Sequence, residues 1–501
     1  MSTQYLPDLL AQTAADAPDA EALVYRSVRM TYVELLEATE RCARSLVAAG
    51  VNAGAPVAVV AGNHPGFAVG LLAALRAGAL AVPINPQFRK RELEMLLADT
   101  GVTAILADPE RLELAREAAG VVPTAVLLTL DEAGRMDPAD DANGATLPTA
   151  LDADAPAICQ YSTGTTGRPK RVVRSHRQFL DEIEALHSRL ATTSDEVFLG
   201  SIPLFHSHGM CNCLWAAIRC RGRLVLTGGF YARAILNLIE TEGVSIWPTV
   251  PFMVRILTEM PGPKRRPLDS LRLVFSAGAP LDPGVALRFG ERYGIGVRQL
   301  YGCTEIGAIC INDDGELPAT LDSVGKALPG NEFIVVDDQD RPMPIGQAGA
   351  VAVSGPGLAS GYDWADDKAH GNFRAGRFFP GDLGSIDGEG RLRLAGRTQL
   401  FINVGGSKVD PEEVERVLAS HADVADVAVV RAPHPYYGET VKAVLVPKEG
   451  MAIDEKELRR HCRESLADYK VPKTLVVRDS IPRSATGKVL RKYLEDEELE
   501  G

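Results

Sequence analysis

The stretch Ser162–Lys170 reads STGTTGRPK and combines four hydroxyl side chains, two cations and three residues that are glycine or proline. Glycine lets backbone N–H groups approach a ligand, and such groups, with hydroxyls and a lysine, can close around phosphate oxygens. The Walker A pattern does not fit, because Gly164 and Gly167 are only three positions apart and Lys170 follows three later. The stretch predicts a phosphate-binding loop of another kind, with a hydrophilic turn as the alternative if it stood alone.

Bulk composition predicts a soluble enzyme with more than one domain. The chain has 501 residues, of which 46% are hydrophobic and 24% charged, and no apolar run is long enough to span a bilayer. The formal net charge of −13 argues against a nucleic-acid partner, because duplex binding depends on Lys and Arg that neutralise phosphates. No membrane partner is expected either.

The amino terminus and the cysteines predict a cytoplasmic location. Residues 1–22 contain no Lys or Arg, so they lack the basic start of a targeting signal. Eight cysteines are few for this length and suit reduced thiols. The one group that suggests zinc lacks the usual ligand spacing, so no metal is predicted there; it comprises His206, His208, Cys211, Cys213 and Cys220.

Alternating strand-like and helix-like segments predict an α/β fold for the larger part of the chain. The predicted strands are 57–61, 104–107, 125–130 and 224–226, and the predicted helices are 71–76 and 232–242. Residues 131–155 are acidic and aperiodic, which predicts an exposed connection before the phosphate loop.

Beyond Gly381 the pattern changes to shorter units, which predicts a small α+β domain. Strands are predicted at 391–394, 400–404, 427–431 and 441–447, and helices at 411–420 and 455–466. We therefore predict a large N-terminal domain, 1–396, and a small C-terminal domain, 397–501, with a hinge near 397–400.

Four further motifs follow the phosphate loop in a fixed order. They are YGCTEIG (301–307), GDLG around Asp382, GRTQLFINVGGSKVDPEEVE (396–415) and PRSATGKVLRK (482–492). Together with LRAGALAVPINP (75–86), this series resembles the adenylate-forming superfamily of acyl-CoA synthetases, peptide-synthetase adenylation domains and luciferases. The resemblance covers essentially the whole chain, and the tail motif is most similar to stand-alone acyl-CoA ligases.

The resemblance implies a two-step reaction and a small domain that rotates between the steps. A carboxylate attacks the α-phosphate of ATP to give acyl-AMP and pyrophosphate, and a thiol, often that of CoA, then displaces AMP. Because an anion must approach a polyanion, the first step needs positioned cations and donors. The implied cofactors are ATP, Mg²⁺ and CoA.

The resemblance also implies the residues that bind the nucleotide. The loop, with Ser162, Thr163, Gly164, Thr165, Thr166, Gly167 and Lys170, would hold the β- and γ-phosphates. Thr304 would contact the α-phosphate, Glu305 would bind magnesium, and Tyr301 and Gly302 would lie along the adenine. Asp382 and Arg397 would bind the ribose, and the adenine would pack on Gly278, Ala279 and Pro280. For Thr304 and Glu305 alone, a helix cap with an acidic first turn is the alternative; for Asp382 and Arg397, a surface ion pair.

The C-terminal motifs would supply the residues that the rotating small domain brings to each step. Lys488 matches the lysine that bridges the carboxylate and the α-phosphate, and Gly405 and Gly406 match the loop used in thioester formation. Two departures from the family pattern stand out: Gln399 replaces the usual Asp or Lys at the pivot, and Pro380 replaces a threonine before Gly381.

The acid and the acceptor are left open. PLFHSHGM (203–210) resembles the family's gate motif, so His206 is the candidate gate. The acyl pocket would be formed by His208, Phe275, Leu300, Gly302 and Ile306; the alternative for His208 is a core histidine with a backbone partner. A similar motif occurs in ligases for small dicarboxylates, but the soft Met210, Cys211 and Cys213 suit aryl or medium-chain acids equally.

CoA is the favoured acceptor, because the tail resembles that of stand-alone ligases and no carrier domain follows. A carrier protein or an amine is the alternative. A non-catalytic sensor would lack Lys488, Glu305, Asp382 and Arg397, which are all present. A luciferase-type oxygenase would reveal itself by light emission with oxygen.

Overall fold

The computed structural model describes most of the chain, namely residues 5–137, 145–149, 151–162, 170–263, 266, 268–363, 371–397, 401–482, 489 and 491–495. The chain forms two compact units. The first unit comprises 1–86, 97–161 and 171–398, and the second comprises 87–96, 162–170 and 399–501. The predicted domain boundary after residue 396 stays a prediction.

The strands and helices have the following bounds in chain order. The strands are β1 (Glu21–Tyr25), β2 (Val28–Thr31), β3 (Pro56–Val60), β4 (Leu80–Pro83), β5 (Ala104–Ala107), β6 (Val126–Leu130), β7 (Met136–Asp137), β8 (Pro156–Ser162), β9 (Lys170–Ser175), β10 (Val197–Gly200), β11 (Arg223–Leu226), β12 (Ile246–Thr249), β13 (Leu273–Ser276), β14 (Val297–Cys303), β15 (Gly307–Ile311), β16 (Lys326–Ala327), β17 (Glu332–Val336), β18 (Gly349–Ser354), β19 (Phe373–Arg374), β20 (Arg377–Phe378), β21 (Asp382–Ile386), β22 (Leu392–Arg397), β23 (Ile402–Val404), β24 (Ser407–Val409), β25 (Val424–His434), β26 (Gly438–Pro447) and β27 (Thr474–Val477). The helices are α1 (Leu6–Asp16), α2 (Tyr32–Ala48), α3 (Pro65–Arg76), α4 (Lys90–Thr100), α5 (Leu112–Ala118), α6 (His176–Leu190), α7 (Ser207–Gly209), α8 (Ala216–Cys220), α9 (Ala232–Glu242), α10 (Pro251–Glu259), α11 (Pro283–Tyr293), α12 (Pro411–Ala419), α13 (Glu455–Ser465) and α14 (Arg491–Glu495), with a π-helix at Met210–Trp215 and 3₁₀ turns at Ala119–Val121 and Asp468–Lys470.

Within the described residues, these strands form four sheets. Two of them are mainly parallel, with the orders β7-β6-β5-β3-β4-β8-β9 and β16-β15-β14-β13-β12-β10-β11-β1-β2. A third sheet has the order β19-β20-β18-β21-β22, with β17 also paired to β18. The fourth belongs to the second unit and has the order β24-β23-β26-β25, with β27 paired to β26.

The central strands of the seven-stranded sheet are continuously apolar and buried. All four residues of β5 are buried, as are four of the five in β3, and α3 is buried along most of its length. Parallel strands covered by helices on both faces need such continuous apolar runs. This packing explains why the strand signals of the sequence are uninterrupted rather than alternating.

Helix α6 starts where its sequence supplies a cap. Ser175 and Gln178 form a capping box, so two otherwise unpaired backbone N–H groups are satisfied at the helix start. Its buried face carries Phe179, Ile183 and Leu186 at helical spacing, and Glu182 lies on that same face.

The predicted α/β class is confirmed, and several predicted bounds coincide with the structure. Strand β5 and helix α9 have the predicted limits, whereas α3 begins at Pro65, six residues before the predicted 71–76 segment. Proline is well suited to a first helical turn, so the helix extends back to it. The predicted connection 131–155 is not wholly irregular, because β7 pairs with β6 and Leu147 is buried in the core.

The second unit has its own hydrophobic core. Helices α12 and α13 pack beside the fourth sheet, and the core side chains include Val414, Leu418 and Leu458. The first of these helices begins at Pro411 as predicted, capped by the carboxylate of Asp410. In the ranges described, the helices are too short or too polar to cross a membrane.

Candidate active site

The predicted phosphate loop connects β8 to β9. Ser162 is the last residue of β8 and Lys170, which is buried, is the first residue of β9. Thr163, Gly164, Thr165, Thr166 and Gly167 lie outside the described residues, as do Lys488 and Gln399.

The motif YGCTEIG forms a β-hairpin. Tyr301 and Gly302 lie on β14, which pairs antiparallel with β15, and Thr304 and Glu305 occupy the turn between these strands. The alternative, a helix cap, is therefore wrong for this pair. The turn is tight: a Cβ atom on Gly302 would lie 2.4 Å from the carbonyl oxygen of Gly307.

The Glu305 carboxylate is buried and held from a second segment. Tyr362 donates its hydroxyl to Glu305 Oε1 at 2.9 Å, and the Ala359 amide donates to the Glu305 carbonyl at 2.8 Å. Burial and the neighbouring carboxylate raise the pKa of Tyr362, so its hydroxyl keeps its proton and acts as donor. The acidic side chain thus has a fixed orientation.

Two motifs that are far apart in sequence meet at Asp382. The Tyr301 hydroxyl donates to Asp382 Oδ2 at 2.5 Å, and both side chains are buried. In the β21–β22 ladder, Asp382 is the partner of Arg397. The predicted adenine and ribose residues therefore share one locality on the first unit. Pro380 lies just outside β21, so its missing N–H interrupts no ladder.

Gly278, Ala279 and Pro280 follow the carboxyl end of β13. Gly278 has φ of +84°, a conformation that glycine adopts without strain. The carboxyl ends of parallel strands in open α/β sheets are where ligands usually bind. In the second unit, Gly405 and Gly406 form the turn between β23 and β24, with φ of +57° and +91°.

The two histidines of the gate motif have different environments. The His206 ring is exposed and lies 4.2 Å from the Phe205 ring, centroid to centroid. The His208 Nε2 atom lies 3.0 Å from the Thr249 carbonyl oxygen, and the His208 Nδ1 atom lies 2.6 Å from Asn212 Nδ2. Both ring nitrogens of His208 are thus engaged, as in the alternative of a core histidine.

Burial lowers the pKa of His208 to about 4, so the ring is neutral near pH 7. Its Nε2 atom then donates to the carbonyl oxygen and its Nδ1 atom accepts from the Asn212 amide. The ring lies 5.9 Å from that of Phe275. Three other predicted pocket side chains are almost fully buried: Phe275, Leu300 and Ile306.

The described residues contain no group of three or more His, Cys, Asp or Glu side chains placed to share a metal ion. Cys211, Cys213 and Cys220 are buried, and burial raises the pKa of the Cys220 thiol to about 11. These thiols are therefore protonated and pack as small apolar groups.

Comparison with known proteins identifies the family. Residues 10–363 match the AMP-binding enzyme family, and residues 413–488 match the AMP-binding enzyme C-terminal domain. The chain belongs to the AMP-binding enzyme family. A feruloyl-CoA synthase of Amycolatopsis sp is 33% identical to this AMP-binding enzyme over 98% of both chains.

Solved structures of AMP-binding enzymes agree with this assignment. A double mutant of the o-succinylbenzoate CoA synthetase of Bacillus subtilis superposes with a TM-score of 0.86 at 28% identity, over 98% of this chain and 99% of that one. An amide bond synthetase of Marinactinospora thermotolerans gives a TM-score of 0.88 at 28% identity, over 97% and 100% of the two chains. The predicted family, fold and enzyme class, an adenylate-forming ligase, are confirmed.

Sequence reasoning missed several side chains of this AMP-binding enzyme that hold the predicted site residues. Gln160 accepts from the Ser207 hydroxyl at 2.6 Å and donates to the Phe205 carbonyl at 3.1 Å, so it links β8 to the gate motif. Tyr362 holds Glu305. A polar residue inside the apolar strand AICQ was the available signal for Gln160; Tyr362 had none.

Proposed function

We propose that this enzyme converts a carboxylic acid with an uncharged, apolar or aromatic acyl group to its CoA thioester through an acyl-adenylate. The observation that carries the nucleotide half of the proposal is the Tyr301–Asp382 hydrogen bond of 2.5 Å, which joins the predicted adenine and ribose residues in one buried pair. Both lie on strands of the first unit, so the nucleotide would bind to a rigid framework.

The site residues have distinct roles in the first step. The loop 162–170 would hold the β- and γ-phosphates, Thr304 would donate to the α-phosphate, and Asp382 with Arg397 would bind the ribose. Lys488 would stabilise the charge that develops as the carboxylate oxygen bonds to phosphorus and pyrophosphate leaves. Thiol attack on the acyl carbon would then release AMP, with His206 as the gate residue and Gly405 and Gly406 as the loop used in this step.

Magnesium fits the donor set at the hairpin turn. Glu305 offers a buried carboxylate whose orientation Tyr362 fixes, and Thr304 offers a neighbouring hydroxyl. These are hard oxygen donors, which Mg²⁺ prefers. When bound, the ion would neutralise phosphate charge; Glu305 would hold it, and the hairpin would keep that carboxylate in place.

The environment of His208 supports an uncharged acyl group. A second carboxylate would need a donor, yet both ring nitrogens of His208 are already bonded to the Thr249 carbonyl and to Asn212. The predicted pocket side chains Phe275, Leu300 and Ile306 are apolar. Burying an unpaired carboxylate among them would cost several kcal/mol, and the similarity to a feruloyl-CoA synthase points the same way.

The domain organisation completes the proposal. We place the boundary after residue 396 and a hinge near 397–400 that lets domain 397–501 serve both steps. Gln399 would be the pivot. A carrier protein or an amine is the second candidate acceptor. The similarity to an amide bond synthetase is the reason to keep the amine among the candidate acceptors.

The test is acid-dependent turnover of Mg·ATP across aryl, fatty and dicarboxylic acids, each with CoA, a phosphopantetheinylated carrier protein, an amine, or no acceptor. We expect an aryl or fatty acid to give catalytic pyrophosphate, AMP and the CoA thioester. If pyrophosphate release is only stoichiometric with the enzyme in the presence of CoA but catalytic with another acceptor, that acceptor would replace CoA in the proposed reaction. Preferred turnover of a dicarboxylate would contradict the proposed acyl pocket.

A further inference from the structure

A buried ion pair outside the predicted site contacts the β14–β15 hairpin, the segment that holds Glu305 and the chain next to the gate motif. Arg174 on β9 and Glu182 on α6 are 2.8 Å apart, Nη1 to Oε2, and their side chains are only 1% and 3% exposed. Charged side chains are rarely buried this completely. Neither residue belongs to the motifs that define the reaction.

Glu182 holds the hairpin that carries Thr304 and Glu305. Its Oε1 atom accepts the Ala308 amide at 3.0 Å. The carboxyl group also lies against Gly307: a Cβ atom at that glycine would be 2.1 Å from the Glu182 Cδ atom. Gly307 and Ala308 directly follow the turn, so the carboxylate fixes the strand from which the turn emerges.

Arg174 extends the same contact to the segment that holds Glu305 from the other side. Its Nη2 atom donates to the Gln178 carbonyl at 3.0 Å and would lie 3.1 Å from a Cβ atom on Gly357. Gln178 in turn donates to the Leu358 carbonyl at 2.6 Å. This segment continues to Ala359 and Tyr362, whose amide and hydroxyl bind Glu305.

The third contact is with Cys211, which directly follows the gate motif (203–210). The Cys211 thiol donates to Glu182 Oε2 at 3.5 Å, and burial, reinforced by this carboxylate, raises the pKa of the thiol well above its usual value. Cys211 lies five residues after His206. The Glu182 carboxylate therefore binds a guanidinium from β9, an amide from β15 and the thiol that follows the gate motif.

We propose that Glu182, paired with Arg174, is a positioning residue for the adenylation step: it sets the hairpin turn so that Thr304 and Glu305 meet Mg·ATP. This inference rests on the proposed roles of those two residues. Neither Arg174 nor Glu182 contacts the turn's functional side chains, so both act through the hairpin backbone and, by way of Gln178 and Leu358, through the segment that carries Tyr362.

The decisive variant is Glu182→Gln, which preserves the size of the side chain but removes its charge. The amide can still accept from Ala308, but its NH₂ group faces the Arg174 guanidinium, so the pair must move apart. A misplacement of about 1 Å at a reacting group costs up to about 100-fold in rate. We expect acid-dependent ATP–pyrophosphate exchange to fall about 10- to 100-fold, with a higher Mg²⁺ concentration for half-maximal exchange.

Three comparisons distinguish positioning from general destabilisation. Thioester formation from supplied acyl-AMP does not need Mg·ATP, so it should change less than about threefold. Glu184→Gln, on the same helix, breaks the more exposed Arg219–Glu184 pair of 2.7 Å and should leave both steps unchanged. Arg174→Met combined with Glu182→Gln removes the unpaired cation and should recover part of the exchange rate if Glu182→Gln alone folds poorly.

Each outcome has one meaning. Wild-type exchange kinetics in Glu182→Gln, or equal losses in both half-reactions at a temperature well below unfolding, would overturn the proposal. Absence of acid-dependent exchange in the unaltered enzyme would instead overturn the proposed function. Loss of exchange in Glu305→Gln together with normal Glu182→Gln would leave the function standing and reject only the positioning role.

Discussion

Several functional side chains in this enzyme are held by hydrogen-bond partners that are distant in the sequence. Tyr301 and Asp382 are 81 positions apart and share a 2.5 Å hydrogen bond. His208, predicted to line the acyl pocket, has both ring nitrogens engaged, by the Thr249 carbonyl and by Asn212. The roles of Thr304, Glu305 and Lys488 stay predictions, and a single substitution at each residue can test them.

Lys488→Ala should abolish most of the first half-reaction. Removing one positioned charge from a transition state typically costs about 10²- to 10³-fold. We expect that loss in ATP–pyrophosphate exchange, with near-normal thioester formation from supplied acyl-AMP. Lys492→Ala, in the same motif, serves as control. Normal exchange in Lys488→Ala would show that another group carries the charge.

Buried His176 predicts a pH dependence of stability. Burial lowers its pKa to about 4, and its Nδ1 atom accepts the Leu6 amide at 3.4 Å. As pH falls from about 6.5 to about 4, the unfolded chain binds this proton first, so the free energy of unfolding decreases. His208 contributes with the same sign.

The measurement is the melting temperature across that pH window. His176→Gln should show a smaller decrease on acidification than the unaltered protein, even if it starts from a lower value. Identical slopes in the two proteins would mean that the His176 ring is not held neutral by burial.

Among the secondary-structure elements, the β14–β15 hairpin depends on one crowded backbone position. Gly307 has φ of +85°, and any side chain there would meet the Glu182 carboxyl at 2.1 Å. Two costs therefore add at this glycine: left-handed strain and a steric clash. Gly302, on the opposite strand of the hairpin, is also crowded, with the Gly307 carbonyl oxygen 2.4 Å from its Cβ position.

Gly307→Ala should reduce both stability and adenylation. Left-handed strain alone costs about 1–2 kcal/mol. Gly346→Ala isolates this cost, because Gly346 has φ of +82° with no atom within 4 Å of its Cβ position. We expect a larger fall in melting temperature for Gly307→Ala, accompanied by slower pyrophosphate exchange. Equal effects of the two substitutions would contradict the close approach of Glu182.

The whole molecule comprises two units with separate hydrophobic cores, which suits a reaction in two steps. The proposed alternation requires backbone rotation at 397–400. In the second unit, a buried Lys470 pairs with Glu92 at 2.6 Å and with Glu413 at 2.9 Å. This cluster ties residues 87–96 to that unit.

Gln399→Pro tests the hinge. Proline fixes φ near about −65° and restricts the residue before it, so rotation at this position is hindered. We expect one half-reaction to be retained and the other to fall at least about 10-fold, the size of a modest conformational barrier. Gln399→Ala, which keeps backbone freedom, should affect neither strongly. Equal, small changes in both half-reactions for Gln399→Pro would place the hinge elsewhere.

The sequence by itself determined the α/β class, the family and the order of the motifs. Strands such as β5 can be predicted from the sequence because parallel strands that are covered on both faces need continuous apolar runs. The helix start at Pro411 was also predictable, because proline suits a first helical turn. The hairpin at 301–307 was not, since the local residues alone favoured a helix cap.

Only the tertiary structure decided which polar side chains meet. Arg174 and Glu182 look like solvated charges in sequence, although each falls on the inward face of its element: Arg174 by the alternation of β9, and Glu182 by its helical spacing from Phe179 and Leu186. The partners of His208, Asp382 and Glu305 come from other strands and loops. Hydrogen bonds and ion pairs act over about 3 Å, so their partners are fixed by chain folding, which the local sequence does not encode.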